Sequence, residues 1–154
     1  MYDLNANSFS NGRAQLNGGA VYYDLYQPLD LLANTFENNS AQYGADYASY
    51  PSKLGIISND TSWTQSFVSG ADVANAIYVG IYDQNNQLVV TDNTSTCILS
   101  SSDLVLQISG VTKVKAINGV YVFDQINLIA LPNYGSELTF TSTAITVIPT
   151  NANI

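Results

Sequence analysis

The chain has few residues capable of catalysis, and their arrangement favours no particular reaction. Its 154 residues include one cysteine and no histidine. Without histidine, neither a Ser-His-Asp nor a Cys-His arrangement can form, and the commonest general base near neutral pH and the usual zinc ligand are both missing. Cys97 lies in strand-like surroundings, where a small buried core residue is expected. We therefore expect a protein that is not an enzyme, with no catalytic residues and no cofactor.

The acidic residues in predicted turns offer two further possibilities. Four of them are Asp72, Asp83, Asp92 and Asp103. An aspartate in a turn is usually there because its side chain bonds nearby backbone, so a paired-carboxylate hydrolase is the weaker interpretation. Loop oxygens of this kind, together with Asn85, suit calcium, but a full ligand spacing is absent. No metal site is predicted.

Charge and hydropathy exclude two classes of partner. Charged residues make up 10% of the chain, and the formal net charge is −8. Because no basic cluster exists to replace the counterions of a phosphate backbone, nucleic acid is not an expected partner. No apolar run reaches the roughly 18 residues needed to span a bilayer, so no membrane span is expected. Few charges and many Tyr, Asn, Ser and Thr are typical of a surface that packs against copies of itself or carries sugar.

Residues 1–50 are predicted to be an N-terminal extension. Tyr2, Leu4 and Ala6 alternate with polar residues, which indicates a strand over residues 2–9 that has nothing nearby to pair with. Asn and Gly dominate residues 10–19, as in a flexible linker. A second alternating strand is expected over residues 20–27. Residues 28–50 are predicted to be a loop or a short helix.

Residues 51–154 carry the pattern of a β-sandwich. Asn118-Gly119 separates two alternating segments and is the strongest short-range hairpin signal, because both residues tolerate the positive φ of a type I′ turn. Short strands recur along this region with turns every 8 to 12 residues or so. The fold class is therefore all-β, an antiparallel β-sandwich with an N-terminal extension that contains a candidate donor strand.

Six segments of this region resemble the immunoglobulin-like sandwich domains of surface proteins, of the invasin and filamin type. They are residues 53–57, 76–82, 83–86, 88–91, 118–126 and 135–140, and the resemblance covers roughly residues 51–148. It implies an opening strand, a valine-rich strand, an aspartate and polar turn, a return strand, and a gapped closing strand. The cysteine pair of antibody domains is missing, which puts an antibody-type member in doubt.

Three N-glycosylation sequons fall in predicted loops. They begin at Asn38, Asn59 and Asn93. If the chain is secreted by a glycosylating organism, covalent N-linked glycans are expected at one or more of them.

The unpaired strand at Tyr2, Leu4 and Ala6 suggests a function. An isolated strand gains backbone hydrogen bonds when it adds to the edge of a sheet. If each copy gives its strand to the next copy, the contact is heterologous and the chain of copies does not close on itself. We expect a structural subunit of an extracellular filament, a homopolymer built head to tail by donor-strand addition. The architecture resembles donor-strand pilus and glycan-coated fibril subunits.

Two other functions remain open from the sequence. An adhesin or carbohydrate-binding module would use aromatic side chains as stacking platforms, and the candidates are Tyr43, Tyr47, Tyr50 and Trp63. A passive spacer domain of a cell-surface protein would explain the N-terminal extension as an interdomain linker. All three functions place the protein outside the cell or on its surface.

Overall fold

The computed structural model describes residues 4–58 and 66–145, and its fold is all-β. The strands are β1 (Ser8–Ser10), β2 (Val21–Tyr23), β3 (Thr35–Glu37), β4 (Tyr47–Ser49), β5 (Lys53–Ile56), β6 (Ile77–Tyr82), β7 (Thr96–Ser100), β8 (Gln107–Gly110), β9 (Lys113–Lys115), β10 (Val120–Phe123), β11 (Ile126–Ile129) and β12 (Thr139–Ser142). One 3-10 helix spans Leu31–Ala33.

The N-terminal region folds into two stacked passes of parallel strand, residues 7–23 and residues 34–50. β1 pairs with β3 and β2 with β4, both in parallel. Parallel bridges between Arg13 and Ser40 and between Asn17 and Tyr43 join the stretches between these strands. For two strands that are close in sequence to pair in parallel, the chain must return between them to the end at which the first strand began. The two passes therefore form successive coils of a small solenoid.

Two predictions for the region after the first strand differ from this structure. The expected linker over residues 10–19 is hydrogen-bonded along its length, for example from Ala14 N to Ser40 O at 3.0 Å and from Gly18 N to Tyr43 O at 3.0 Å. Residues 28–50, predicted to be a loop or a short helix, contain a short 3-10 helix and also two strands that were not predicted. The Asn and Gly residues that suggested flexibility form the corners between short strands, because they tolerate the backbone angles of tight turns.

The candidate donor strand is also different. Ala6 has φ 54°, a left-handed conformation that interrupts a strand. Strand β1 begins only at Ser8, and its half-buried apolar residue is Phe9. Leu4 N donates to Leu29 O at 3.0 Å, so this segment lies against its own chain. Tyr2 lies outside the described residues.

The remaining strands form three antiparallel sheets with the orders β10-β6-β5, β12-β7-β9 and β11-β8. Alternation builds the core: Ile77, Val79 and Ile81 are buried along β6, whereas Tyr78 between them is exposed. The expected return strand at residues 88–91 is reduced to a bridge between Tyr82 and Leu88. Several sheets around one apolar core are compatible with a β-sandwich.

Side chains of β10 and β12 connect the two three-stranded sheets. The fully buried hydroxyl of Tyr121 lies 2.5 Å from Ser142 Oγ on β12, and burial raises the pKa of this phenol. The rings of Phe123 and Phe140 pack at a centroid distance of 5.5 Å with a 57° tilt. The sheets therefore face each other across a shared aromatic layer.

The Asn118-Gly119 turn forms as predicted, but the strands on either side of it separate. Asn118 has φ 50° and Gly119 φ 75°, as a type I′ turn requires. Ile117 and Val120 exchange two backbone hydrogen bonds at 2.9 and 3.0 Å. Beyond them β9 pairs with β7 and β10 pairs with β6. The turn is thus a corner from one sheet to another.

A buried carboxylate joins the coils to the sheets. Asp83 has no solvent exposure; its Oδ1 accepts the backbone N–H groups of Asn85 and Gln87 at 2.8 Å each. Its Oδ2 accepts the N–H of Ser49 on β4 at 3.3 Å. Gln87 also donates its side-chain amide to Tyr47 O at 3.0 Å. Asp83 therefore holds its own turn and the outer edge of β4 together.

Removing this carboxylate is expected to destabilise the whole chain. Asp83→Ala leaves buried N–H groups without an acceptor, each costing about 1–3 kcal/mol, so we expect a loss of about 3–5 kcal/mol in the free energy of unfolding. Asp83→Asn keeps one oxygen acceptor and should lose less. Urea unfolding measures both, with the exposed Asp124→Ala as the control. Equal losses for Asp83→Ala and Asp124→Ala would contradict the role of Asp83.

Candidate functional site

The two parallel passes carry the same residues at equivalent positions. Ser8 lies opposite Thr35, 27 positions later, and Val21 lies opposite Tyr47, 26 positions later. At these spacings the chain repeats Asn7 and Asn34, Phe9 and Phe36, Asn11 and Asn38, Ala14 and Ala41, Gln15 and Gln42, and Gly18 and Gly44. The passes are therefore two copies of one structural unit.

Side chains join the two passes by ring stacking and by hydrogen bonds. The rings of Phe9 and Phe36 are nearly parallel, with centroids 5.4 Å apart and an angle of 12° between planes. Asn34 Oδ1 accepts the backbone N–H of Asn7 at 2.9 Å. In the same way, Asn39 Oδ1 accepts the N–H of Gly12 at 2.8 Å. Side-chain amides thus connect each turn to the turn above it.

The turns of the two passes share their backbone conformation. Asn11 and Asn38 have φ of 56° and 55°, and Gly18 and Gly44 have φ of 60° and 63°. At Gly44 an added Cβ would lie 2.4 Å from Tyr47 O, so this corner accepts only glycine. Equal corners keep the two passes in register.

The outer edges of β1, β2 and β3 are unpaired among the described residues, and those of β1 and β3 belong to one strand pair. β1 and β3 pair only with each other. Thr35 N donates to Asn7 O at 2.9 Å, and Asn11 N to Glu37 O at 3.0 Å. Since alternate residues of a strand bond to opposite sides, the backbone groups of Ser8 and Ser10 point away from β3, and those of Phe36 point away from β1. We call these the β1 edge and the β3 edge.

The corresponding edge of β4 is closed. Its outward groups, Ser49 N and Tyr47 O, are bound by Asp83 and Gln87. Ser49 Oγ in turn accepts the N–H of Gln84 at 3.1 Å. Further growth of the coil on this side is therefore blocked by the chain itself.

A groove lies beside β2, at the corner where the first coil turns. It encloses about 760 Å³ and is lined by Leu4, Val21, Tyr22, Tyr23, Asp24, Tyr26, Gln27, Pro28 and Tyr50. We call it the tyrosine groove. The rings of Tyr22 and Tyr50 pack at 5.5 Å with a 39° tilt, and Asp24 Oδ1 accepts the N–H of Tyr26 at 3.0 Å.

The aromatic residues that were predicted to be stacking platforms differ in their exposure to solvent. Tyr43 is buried, its hydroxyl donates to Ser49 O at 3.2 Å, and burial raises the pKa of this phenol far above its ordinary value. Tyr47 packs against Phe36 at 5.4 Å. Tyr50 is exposed in the tyrosine groove. Trp63 lies outside the described residues.

Two of the three sequon asparagines are exposed. Asn38 occupies the left-handed corner after β3. Asn93 Oδ1 accepts the N–H of Asn118 at 2.8 Å, and its Nδ2 donates to Thr91 O at 3.4 Å. Asn59 lies outside the described residues.

The stacked coils were not predicted, although the sequence contains a signal for them. The repeat of Asn, Phe, Ala, Gln and Gly at a spacing of 26–27 residues is visible without a structure, and periods of this length are typical of solenoids. The four strands of the coils have only three residues each, too few for alternation to identify them.

Residues 4–58 and 66–145 contain no cluster of three or more His, Cys, Asp or Glu suited to a metal ion. Within the same ranges no helix is long and apolar enough to cross a membrane. Comparisons with protein-family models, with curated proteins and with solved structures found no match for the chain.

The stack of Phe9 on Phe36 should be measurable as a coupling energy. We expect each change to alanine to lower the free energy of unfolding by about 2 kcal/mol, because the rings are half-buried. The double variant should lose less than the sum by about 1 kcal/mol, since an aromatic pair contributes that much beyond its burial. Chemical denaturation of the four proteins completes the cycle. The pair Phe9→Ala and Phe140→Ala, without a ring contact between them, should be additive.

Proposed function

We propose that the protein is a structural, non-catalytic subunit of an extracellular filament, and that copies join through the open edges of the coils. The observation that carries this proposal is that β1 and β3 each leave one side unpaired among the described residues, whereas the equivalent side of β4 is closed. Unpaired backbone N–H and C=O groups favour the addition of another strand.

The pairing of β1 with β3 within the chain supplies the geometry for the contact between copies. The β1 edge of one copy meets the β3 edge of the next in parallel, with Phe36 of one stacked over Phe9 of the other. This contact uses two different surfaces and so leaves one of each free at the ends. A heterologous contact of this kind continues into a filament or closes into a ring, according to the rotation between copies.

Donor-strand addition is the second route to the same filament. In that route the segment from Leu4 to Ser10 leaves its own β3 and pairs with β3 of a neighbour. Edge addition is favoured because the donor route must first break bonds along the whole of residues 10–19. We further propose that residues 51–148 are an immunoglobulin-like sandwich; the two facing three-stranded sheets support this.

Blocking the β1 edge should stop polymerisation without unfolding the chain. Ser10→Pro removes a backbone N–H that points away from β3, at a position where an edge strand tolerates proline. We expect the wild type to form fibres or large oligomers and Ser10→Pro to sediment as a monomer with an unchanged circular dichroism spectrum. Ser10→Ala, which keeps the N–H, should assemble like the wild type. Sedimentation velocity and negative-stain microscopy measure both.

A cysteine pair separates the two routes. Ser8 and Thr35 are opposite each other in the register, so cysteines at both positions should form a disulfide on oxidation. Edge addition retains the bond within one chain, and donor-strand exchange places it between chains. Non-reducing electrophoresis of assembled material distinguishes the two routes. If the wild-type protein forms no fibres, the filament proposal itself is refuted.

N-linked glycans on the filament surface are part of this proposal. Asn38 and Asn93 are exposed, and attachment through Nδ2 of Asn93 leaves its Oδ1 free to keep the bond from Asn118. Protein secreted from a glycosylating host should lose mass on treatment with an N-glycosidase, and Asn38→Gln with Asn93→Gln should remove the sugar at these positions. Intact mass spectrometry makes the measurement. An unchanged mass for the secreted wild type would contradict the prediction.

A further inference from the structure

The tyrosine groove has the size and rigidity of a ligand site. Its volume of about 760 Å³ lies within the range of small-molecule sites, roughly 300–1,000 Å³. The turn that forms its wall is tied to the sheets on two sides: Gln84 donates its side-chain amide to Leu25 O, and Asn85 Nδ2 donates to Tyr23 Oη at 2.6 Å. Because these bonds exist without a ligand, little ordering is needed when one binds.

Three tyrosines of the groove are exposed to solvent. Tyr26 is 66% exposed, Tyr50 46% and Tyr22 44%. Tyrosine rings combine an apolar face with a hydroxyl at the edge, so they suit a ligand that is itself apolar on one face and rich in hydroxyl groups around its rim. A pyranose ring has this form, with C–H groups on one face and hydroxyl groups at the perimeter.

The charge of the groove selects among such ligands. Asp24 is the single ionisable group of the lining other than the tyrosines, and no lysine or arginine is present among the lining residues. The whole chain carries −8. Phosphorylated, sulfated or uronic acid sugars would therefore be repelled. The second oxygen of Asp24 and the side-chain amide of Gln27 provide acceptors and donors for neutral hydroxyl groups.

We infer that the tyrosine groove binds a neutral oligosaccharide, with Tyr22, Tyr26 and Tyr50 stacking on sugar rings and with Asp24 and Gln27 bonding their hydroxyl groups. This site is separate from the β1 and β3 edges, so a filament built through those edges carries one groove on every subunit. The filament would then bind glycan surfaces with many weak sites at once, and its avidity would exceed that of the monomer.

The first experiment uses the Ser10→Pro monomer on an array of neutral, acidic and sulfated glycans, so that polymerisation and sugar binding are measured separately. We expect retention on neutral glycans only. Isothermal titration with the best neutral oligosaccharide should then show about tenfold weaker binding for Tyr26→Ala. Tyr134→Ala is the matched control: Tyr134 is 42% exposed and lies outside the groove, so binding should be unchanged.

Asp24→Asn tests the polar part of the site. Asparagine keeps the oxygen that accepts the N–H of Tyr26 but removes the carboxylate, so weaker binding with an unchanged unfolding temperature assigns Asp24 to the ligand. The inference is overturned if no glycan is retained, if acidic glycans are preferred, if choline or a peptide competes better than sugar, or if Tyr134→Ala weakens binding as much as Tyr26→Ala. None of these results alters the outcome of the polymerisation test.

Discussion

The buried carboxylate of Asp83 is the interaction on which the arrangement of the two regions depends. A buried carboxyl group must have its oxygens bonded by donors, and here the backbone N–H groups that bond Asp83 come from two places, its own turn and strand β4. Bonding both oxygens therefore requires the second coil to lie against the turn after β6. Strands of three residues have little stability by themselves, and this contact attaches them to a much larger core.

The same contact makes the coils asymmetric. It closes the outer edge of β4 and leaves the outer edges of β1 and β3 unpaired among the described residues. Natural proteins usually protect such edges with charge, proline or covering loops, and the open edges of β1 and β3 are the ones that the proposed assembly would use. The tyrosine groove lies beside β2, and its lining includes no residue of β1 or β3. The proposed polymerisation and the inferred sugar binding would therefore use separate surfaces.

The sequence predicted those elements whose signals are local. Asn118 and Gly119 specify a left-handed turn wherever they occur together, and the alternation of Ile77, Val79 and Ile81 identifies β6 without its partners. The coils depend instead on pairing between residues 26 or 27 positions apart, and no single window of the chain contains that information. The prediction of a strand from the alternation of Leu4 and Ala6 was wrong for the same reason. The observed strand β1 lies further along the chain, where Phe9 stacks on Phe36. The tyrosine groove and the contact of Asp83 with β4 both exist only in the folded coils, so the sequence alone predicts neither.

The repeated corners at Asn11 and Asn38, and at Gly18 and Gly44, have a consequence for how such a chain can change in length. Inserting one residue within a strand would move the side chains that follow it to the opposite face, whereas inserting a whole unit would add one more layer, about 4.8 Å thick, and keep the faces of the existing layers unchanged. Length in this region is therefore expected to vary between relatives by whole layers.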